Sequence, residues 1–540
     1  MKRLPAIALG GVVVLGLTAI LFALPRLKGT GPALLPPPAL PGEPTRPSDL
    51  PAGEPAGNQT GLPLSLPEGL SAFIFAQNVP GARVLATGPE GDLYVSQTSQ
   101  GTILAIREEN GEEVERRTVV SGLRRPHGLV FDWREPHMLY VAEEHRIVRL
   151  DTSDPDAVPQ HVIDLPSGSG HFTRTIRFGP DERLYVSVGS SCNVCHEQDE
   201  RRAGLWSLNA DGSDFRQVAR GLRNSVFFDW EPLYGELWAT DMGRDHLGDD
   251  LPPDEINVID WEGEDAQNFG WPICYGQNVH DTAFDRNTYV RNPCMEPFET
   301  PSHVDLPAHS SPLGIAFMPE EGWPEDWWYD AVVAYHGSWN RSEPTGYKLV
   351  RVVRDHTGAV QGVEDLVTGW LQGSRAHGRP VDVLVRPGGT MYVSDDHAGV
   401  IYRFVWEGAR PGDGTETFPP EEPTVPAQTP PFSSNQVRLD AFGIGDVLTS
   451  PATLRGQARG TMFFEANFPV YILDADGTEL GVGIAQADGE WMTSEFVPFS
   501  VPLTFTRPTG EYGLLRFVRD NPSGLPEFDL TVDVPVRFGE

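Results

Sequence analysis

The feature that most constrains this chain is a signature repeated six times between residues 67 and 407. Each copy runs from an apolar segment through a Gly-, Pro- or Asp-bearing turn into a strand of the Leu-Tyr-Val-Ser type. The clearest copies are Gly88-Pro89-Glu90-Gly91-Asp92 before Leu93-Tyr94-Val95-Ser96, and Gly179-Pro180-Asp181 before Leu184-Tyr185-Val186-Ser187. Phe131-Asp132-Trp133 leads likewise to Leu139-Tyr140-Val141-Ala142, and Phe228-Asp229-Trp230 to Leu237-Trp238-Ala239-Thr240. The last two copies are Phe317-Met318-Pro319 with Ala331-Val332-Val333-Ala334, and Arg386-Pro387-Gly388-Gly389 with Met391-Tyr392-Val393-Ser394. The early period of about 45 residues is the length of one four-stranded propeller blade. Six copies therefore predict a six-bladed β-propeller. The doubled gap before the fifth copy predicts an insertion near residues 258–310. An open sandwich would give no reason for such a recurrence.

The flanks have other characters. Lys2-Arg3 precede an apolar run from Ile7 to Leu24, which predicts a membrane-anchoring helix within residues 1–28, with a cleaved signal peptide as the alternative. Either way the body is exported, to the periplasm or the cell surface, where four cysteines are free to form disulfides. Residues 29–66 are Pro- and Gly-rich and predict a spacer; residues 408–435 predict a second linker. From 436 to 540 short alternating strands with Asp476-Gly477 and Asp488-Gly489 turns predict an immunoglobulin-like β-sandwich. The expected fold class is thus all-β. A formal charge of −35 leaves no basic stripe for nucleic acid. Positive charge is nearly all arginine, with lysine only at Lys2, Lys28 and Lys348.

Several local motifs lie at the strand ends of the repeat: Arg174-Thr175-Ile176-Arg177-Phe178-Gly179-Pro180, Cys192-Asn193-Val194-Cys195 and Asn268-Phe269-Gly270-Trp271-Pro272. His336-Gly337-Ser338-Trp339-Asn340-Arg341 and Arg379-Pro380-Val381-Asp382-Val383 complete the set. With these motifs the propeller region resembles the soluble quinoprotein sugar dehydrogenases, in the branch of sorbosone and pyranose dehydrogenases that use pyrroloquinoline quinone (PQQ). The resemblance implies oxidation of an aldose or related sugar by hydride transfer to PQQ, with a respiratory electron acceptor as partner. It implies that His171 is the general base, since imidazole takes a proton near neutrality. Relatives orient that histidine with an Asp where this chain has Ser190; another carboxylate could supply the contact.

PQQ is a planar tricarboxylate and needs fixed cations. Arg223 and Asn224 match the pair beside its reactive carbonyl, Arg379 sits close to a cofactor-contacting arginine, and Arg341 falls where relatives have lysine. The Gly243-Arg244 turn matches the place where backbone carbonyls hold Ca²⁺, although relatives usually have Pro at the position of Arg244. The acidic stretch from Asp245 to Glu255 could compensate for that arginine or be a solvated loop. The C-terminal region resembles the Ig-like domain of bacterial spore-germination proteins, notably in Phe464 to Val470 and Trp491 to Phe499.

Two readings remain open at this level. Cys192-Asn193-Val194-Cys195-His196 has the form of a haem c attachment site, or else of a disulfide clip; Cys274 and Cys294 bracket the insertion and are expected to pair. The chain could also be a non-catalytic envelope propeller that binds glycans or proteins.

Overall fold

The computed structural model describes residues 29–40, 45–47, 57–406 and 436–539, apart from 264, 296–298, 356–357, 441, 443–446, 465, 475–477, 494–495, 507–511 and 520–530. The anchoring helix expected within 1–28 and the linker expected over 408–435 lie outside the described residues. Among the described residues no helix is long and apolar enough to cross a membrane. The chain forms two compact units that divide near residue 413.

The first unit is a ring of six sheets, each with four antiparallel strands; the third gains a short fifth strand, Gln267–Asn268, that pairs parallel with Arg216–Arg220. Blade 1 comprises Ala82–Thr87, Leu93–Gln97, Thr102–Glu109 and Glu112–Ser121; blade 2 Gly128–Asp132, Glu135–Ala142, Arg146–Asp151 and Gln160–Asp164. Blade 3 comprises Ile176–Phe178, Leu184–Val188, Gly204–Leu208 and Arg216–Arg220; blade 4 Ser225–Trp230, Leu237–Asp241, Asp254–Ile259 and Val304–Leu306. Blade 5 comprises Pro312–Phe317, Ala331–Tyr335, Lys348–Arg354 and Val360–Val367. Blade 6 has Pro380–Arg386, Thr390–Asp395 and Val400–Trp406, and takes its fourth strand, Leu70–Ala76, from the other end of the propeller sequence. That strand pairs antiparallel with Val400–Trp406 and closes the ring. The expected insertion falls inside blade 4, between Ile259 and Val304.

Every repeated Leu-Tyr-Val-Ser segment is the second strand of its blade, and each part of the motif has a task. The tyrosine is buried and meets an aromatic ring of the next blade edge to face. Tyr94 packs on Phe131 (4.9 Å), Tyr140 on Phe178 (5.3 Å) and Tyr185 on Trp230 (5.0 Å). Trp238 takes the tyrosine's place in blade 4 and meets Phe317 (5.6 Å). The turn glycine lies under the tyrosine: a Cβ at Gly88 would stand 2.4 Å from the Tyr94 ring, and one at Gly179 2.6 Å from that of Tyr185. The serine serves the innermost strand, whose first residues are irregularly paired and leave amides without ladder partners. Ser96 Oγ accepts from the Val84 N–H (3.0 Å) and Ser394 Oγ from the Asp382 N–H (3.1 Å).

The expected spacer over 29–66 needs correction at its end. From residue 57 the chain is part of the propeller: the Asn58 amide donates to the carbonyls of Leu62 and Leu64, and Ser65 bridges to Thr368. Leu62 and Leu64 are buried in the core shared by blades 5 and 6. Two leucines suffice because that apolar edge is already formed around them.

In the second unit eight strands run in the order Val437–Leu439, Ala452–Arg459, Phe496–Leu503, Glu479–Ala487, Asn467–Asp474, Tyr512–Val518, Thr531–Phe538, Val447–Leu448. The third and fourth join only through Gln486 with Ser500 and Ala487 with Phe499, so the ladder turns a corner there. Phe468, Phe499 and Phe517 meet in the core between the layers. This is the expected all-β architecture of a six-bladed propeller followed by a β-sheet domain.

Ala72 has no exposed surface in the ring-closing strand, opposite Phe404. Ala72→Glu is expected to lower the stability of the propeller by about 3 kcal/mol or more, because it buries an unpaired carboxylate. Urea unfolding followed by tryptophan fluorescence measures this, with the exposed-site substitution Val363→Glu as a near-neutral control.

Candidate active site

In an antiparallel blade the end of the second strand lies beside the start of the first, so both meet at one mouth of the ring. The residues at these positions line a cavity of about 300 Å³. Its walls include Arg83 from blade 1, His171 to Thr173 leading into blade 3, Arg223 and Asn224 before blade 4, and Arg379 before blade 6. The turns after the second strands of blades 4 and 5 add Met242, Gly243 and Asp245, and His336, Trp339 and Asn340. Of the residues singled out from sequence, His171, Arg223, Asn224, Gly243 and Arg379 thus share one cavity. Arg244 and Arg341 do not line it.

The His171 ring is held by Ser190. Its Nδ1 lies 3.0 Å from Ser190 Oγ and 3.1 Å from the Ser190 carbonyl. A carbonyl only accepts, and Ser190 Oγ spends its own hydrogen on the Cys192 carbonyl (2.8 Å). The Nδ1 atom must therefore carry the proton, which leaves the lone pair on Nε2. Burial, then the Arg223 guanidinium, push the imidazole down to about 3, so it is neutral at physiological pH. Among the described residues no carboxylate bonds to the ring; the Ser190 hydroxyl and carbonyl fix the tautomer without adding charge.

Arg223 is buried and anchored mostly by neutral oxygens. It donates from Nε to the Asn193 carbonyl (2.9 Å), from Nη2 to Asn193 Oδ1 (2.9 Å) and from Nη1 to the Met242 carbonyl (3.1 Å), with Asp245 at 3.4 Å. Arg379 donates to the carbonyls of His336 (3.0 Å) and Gly337 (2.7 Å) and lies over the Tyr347 ring. Carbonyl dipoles fix a guanidinium without cancelling its charge, so Arg379 and Arg223 keep positive charge at the cavity wall, beside the carboxylates of Asp245 and Asp254.

The Gly243 turn is held from below. Asp254 accepts from the Gly243 N–H (2.9 Å) and the Ser311 N–H (2.8 Å), and Asp241 accepts from the Arg223 and Asn224 N–H groups. Among the described residues the carbonyls of Gly243 and Arg244 accept no hydrogen bond. The Arg244 guanidinium points elsewhere, to Asp281 at 2.7 Å, so its charge is neutralised away from those oxygens. Arg341 is corrected similarly: it donates to the carbonyls of Asp249 and Ala308 and pairs with Asp250, clasping the loop rather than entering the cavity. The acidic stretch therefore divides, with Asp245 and Asp254 bracing the turn and Asp249 and Asp250 engaging Arg341.

Four residues at the site, Arg83, Asp396, His336 and Asn193, were given no role from the sequence. Arg83 reaches the cavity, paired with Asp396 (2.7 Å), and its Nε is buried without a partner. Asp396 also accepts from His336 Nε2 (2.9 Å), which adds an imidazole beside those of His171 and His309, pushed down to about 4 by burial and by Arg379. Asn193 ties Arg223 to Asp245. Reading one or two residues past each Leu-Tyr-Val-Ser strand would have flagged Asp241, His336 and Asp396, because those positions return to the mouth.

Cys192 is bonded to Cys195 and Cys274 to Cys294. The first pair takes the disulfide form of the two readings, since haem attachment consumes both thiols as thioethers. Beside the second, Glu299 is buried with neither carboxylate oxygen partnered, and burial pushes it up to about 8.

The model of the TrAA12-like family matches residues 64–406, and the chain belongs to that family. An Ig-like domain of bacterial spore germination matches residues 443–524. An uncharacterized protein of Borreliella burgdorferi is 29% identical over 362 residues, 64% of this chain and 91% of that one. Among solved structures, the holo PQQ domain of pyranose dehydrogenase from Coprinopsis cinerea matches with a TM-score of 0.56 at 20% identity, over 64% of this chain and 97% of that one. The calcium structure of the family AA12 enzyme of Trichoderma reesei matches at 0.55 and 18%, over 64% and 98%. At these identities the likeness to solved structures is one of fold.

Two titrations follow from the buried groups. A histidine whose folded value lies below 6.5 lets the unfolded chain bind the proton first, so its share of stability falls as pH drops below 6.5. His171→Gln is expected to remove that share, making the pH dependence shallower by up to about 1.4 kcal/mol per unit between pH 6 and 4. Chemical denaturation across that range measures it. Glu299 has the opposite sense, because its folded value lies above the ordinary 4.5 and its share is lost as pH rises from there through about 8. Glu299→Gln is expected to raise the melting temperature at pH 8 but not at pH 4.5.

Proposed function

We propose that this chain is an exported quinoprotein that oxidises an aldose or related sugar, using PQQ with Ca²⁺ assistance. The observation that carries the reading is one cavity joining a neutral imidazole, an open lone pair and three fixed guanidinium groups. Membership of the TrAA12-like family supports it, and the two disulfides support a location outside the cytoplasm.

The donor set fits a planar tricarboxylate. Arg83, Arg223 and Arg379 supply cations from three sides, Asn224 supplies an amide, and the unpartnered Arg83 Nε is a donor awaiting an acceptor. The free carbonyls of Gly243 and Arg244 fit a hard cation, which accepts neutral oxygen ligands. When bound, PQQ would supply a hydride acceptor and Ca²⁺ a Lewis acid. The protein's own part is acid–base and positional. His171 Nε2 accepts the proton of the sugar hydroxyl, and the Nδ1–H bond to Ser190 keeps that lone pair aimed. Arg223, beside His171, disfavours a cationic imidazole at rest, so the base stays ready. Asp254 and Asp241 hold the Gly243 turn and the Arg223–Asn224 backbone in register. Electrons would leave to a respiratory acceptor, and an N-terminal helix would tether the enzyme to the membrane.

Purified protein supplied with PQQ and CaCl₂ is expected to reduce an artificial dye with at least one of a panel of aldoses. His171→Gln should lower turnover by about 100-fold or more while PQQ absorbance still co-elutes on gel filtration. Failure of the wild-type protein to retain PQQ, together with no dye reduction on any sugar, would favour a glycan- or protein-binding propeller instead.

A further inference from the structure

The four-residue loop closed by the Cys192–Cys195 disulfide touches three parts of the cavity at once. Its Cys192 carbonyl accepts the Ser190 hydroxyl hydrogen and so sets the acceptor that His171 Nδ1–H meets. Its Asn193 holds two edges of Arg223 through the carbonyl and Oδ1, both at 2.9 Å. The same Oδ1 accepts from the Asp245 N–H (2.8 Å), while Nδ2 donates to the Asp245 carbonyl (3.1 Å), which fixes the end of the Gly243 turn. One amide side chain thus satisfies an arginine from one blade and a turn after the next strand. No other residue bonds to both Arg223 and the Asp245 backbone among the described residues.

We propose that Asn193, kept in place by the Cys192–Cys195 bridge, is a positioning residue that sets the relation between the Arg223 guanidinium and the His171 imidazole. Arg223 alone has carbonyl, amide and carboxylate partners that it could exchange by swinging towards Asp245. The bidentate grip of Asn193 removes that freedom, and the disulfide removes the freedom of Asn193. The other guanidinium groups that face His171 are tied independently of this loop. Arg174 donates to the carbonyls of His171, Thr173 and Pro166, and Arg202 to that of Gly189. A change at Asn193 therefore alters the field at His171 through Arg223.

The inference rests on the dehydrogenase reading only for its cofactor arm, so two readouts are taken. In cofactor-free protein with labelled histidine rings, the His171 resonance is assigned by its loss in His171→Gln and followed against pH. Asn193→Ala and the double variant Cys192→Ser/Cys195→Ser are each expected to raise its midpoint by about one unit or more, because Arg223 no longer stands fixed beside it. With PQQ and CaCl₂, both variants are expected to bind PQQ about tenfold more weakly or worse. Asn193→Asp keeps the oxygen that binds Arg223 and the Asp245 N–H but neutralises the guanidinium and loses the donor to the Asp245 carbonyl, and is expected to bind PQQ no better than Asn193→Ala. Thermal melting checks that each variant is folded; should Asn193→Ala not fold, the double serine variant carries the test.

An unchanged His171 midpoint in a folded variant overturns the proposal, whether or not PQQ affinity falls. A raised midpoint with undiminished PQQ affinity supports the positioning role and instead counts against the assignment of Arg223 to the cofactor.

Discussion

Contact between neighbouring blades is the interaction on which the rest of the molecule depends. A blade alone exposes an apolar face on each side, and only its neighbours can cover both. The repeated tyrosine does this by resting on the turn glycine of its own blade and meeting a ring of the next, edge to face, at about 5 Å. Closure by Leu70–Ala76, the outermost strand of blade 6, ties the two ends of the propeller sequence into one sheet and fixes the last blade against the first. Rigid spacing follows, and with it the convergence of six sets of strand ends on a single mouth.

That mouth combines electrostatic demands that conflict in water. Guanidinium groups must be held without being neutralised, and an imidazole must remain neutral beside them. Carbonyl oxygens solve the first, since Arg379 is fixed by His336 and Gly337 and Arg223 by Asn193 and Met242. Burial and the neighbouring positive charge solve the second. Replacing a carboxylate by Ser190 is consistent with this economy, because a carboxylate would favour the protonated ring that the cavity otherwise disfavours.

The chemistry-bearing residues were unevenly legible. His171, Arg223, Asn224, Gly243 and Arg379 occupy fixed offsets from strands that the repeat marks clearly, so their convergence could be anticipated. Arg341 and Arg244 stand at comparable offsets, yet their long side chains chose partners that no local pattern announces, the Asp249–Asp250 loop and Asp281. Arg83 and the His336–Asp396 pair were hidden for a related reason. Arg83 and Asp396 lie 313 residues apart and meet only when blade 6 closes against blade 1, and His336 reaches Asp396 from blade 5, 60 residues earlier in the chain.

Repetition, apolar alternation and turn chemistry in the sequence by themselves determined the blade count, the position of the insertion and the all-β character of both units. These are matters of local period and composition, and a 45-residue recurrence admits few solutions. Tertiary structure alone decided which cations face the cavity, which tautomer His171 holds, and that residues 57–66 belong to the ring. Each of those outcomes depends on which donor finds which acceptor across the axis, and such pairing is set by distance in space rather than by separation along the chain.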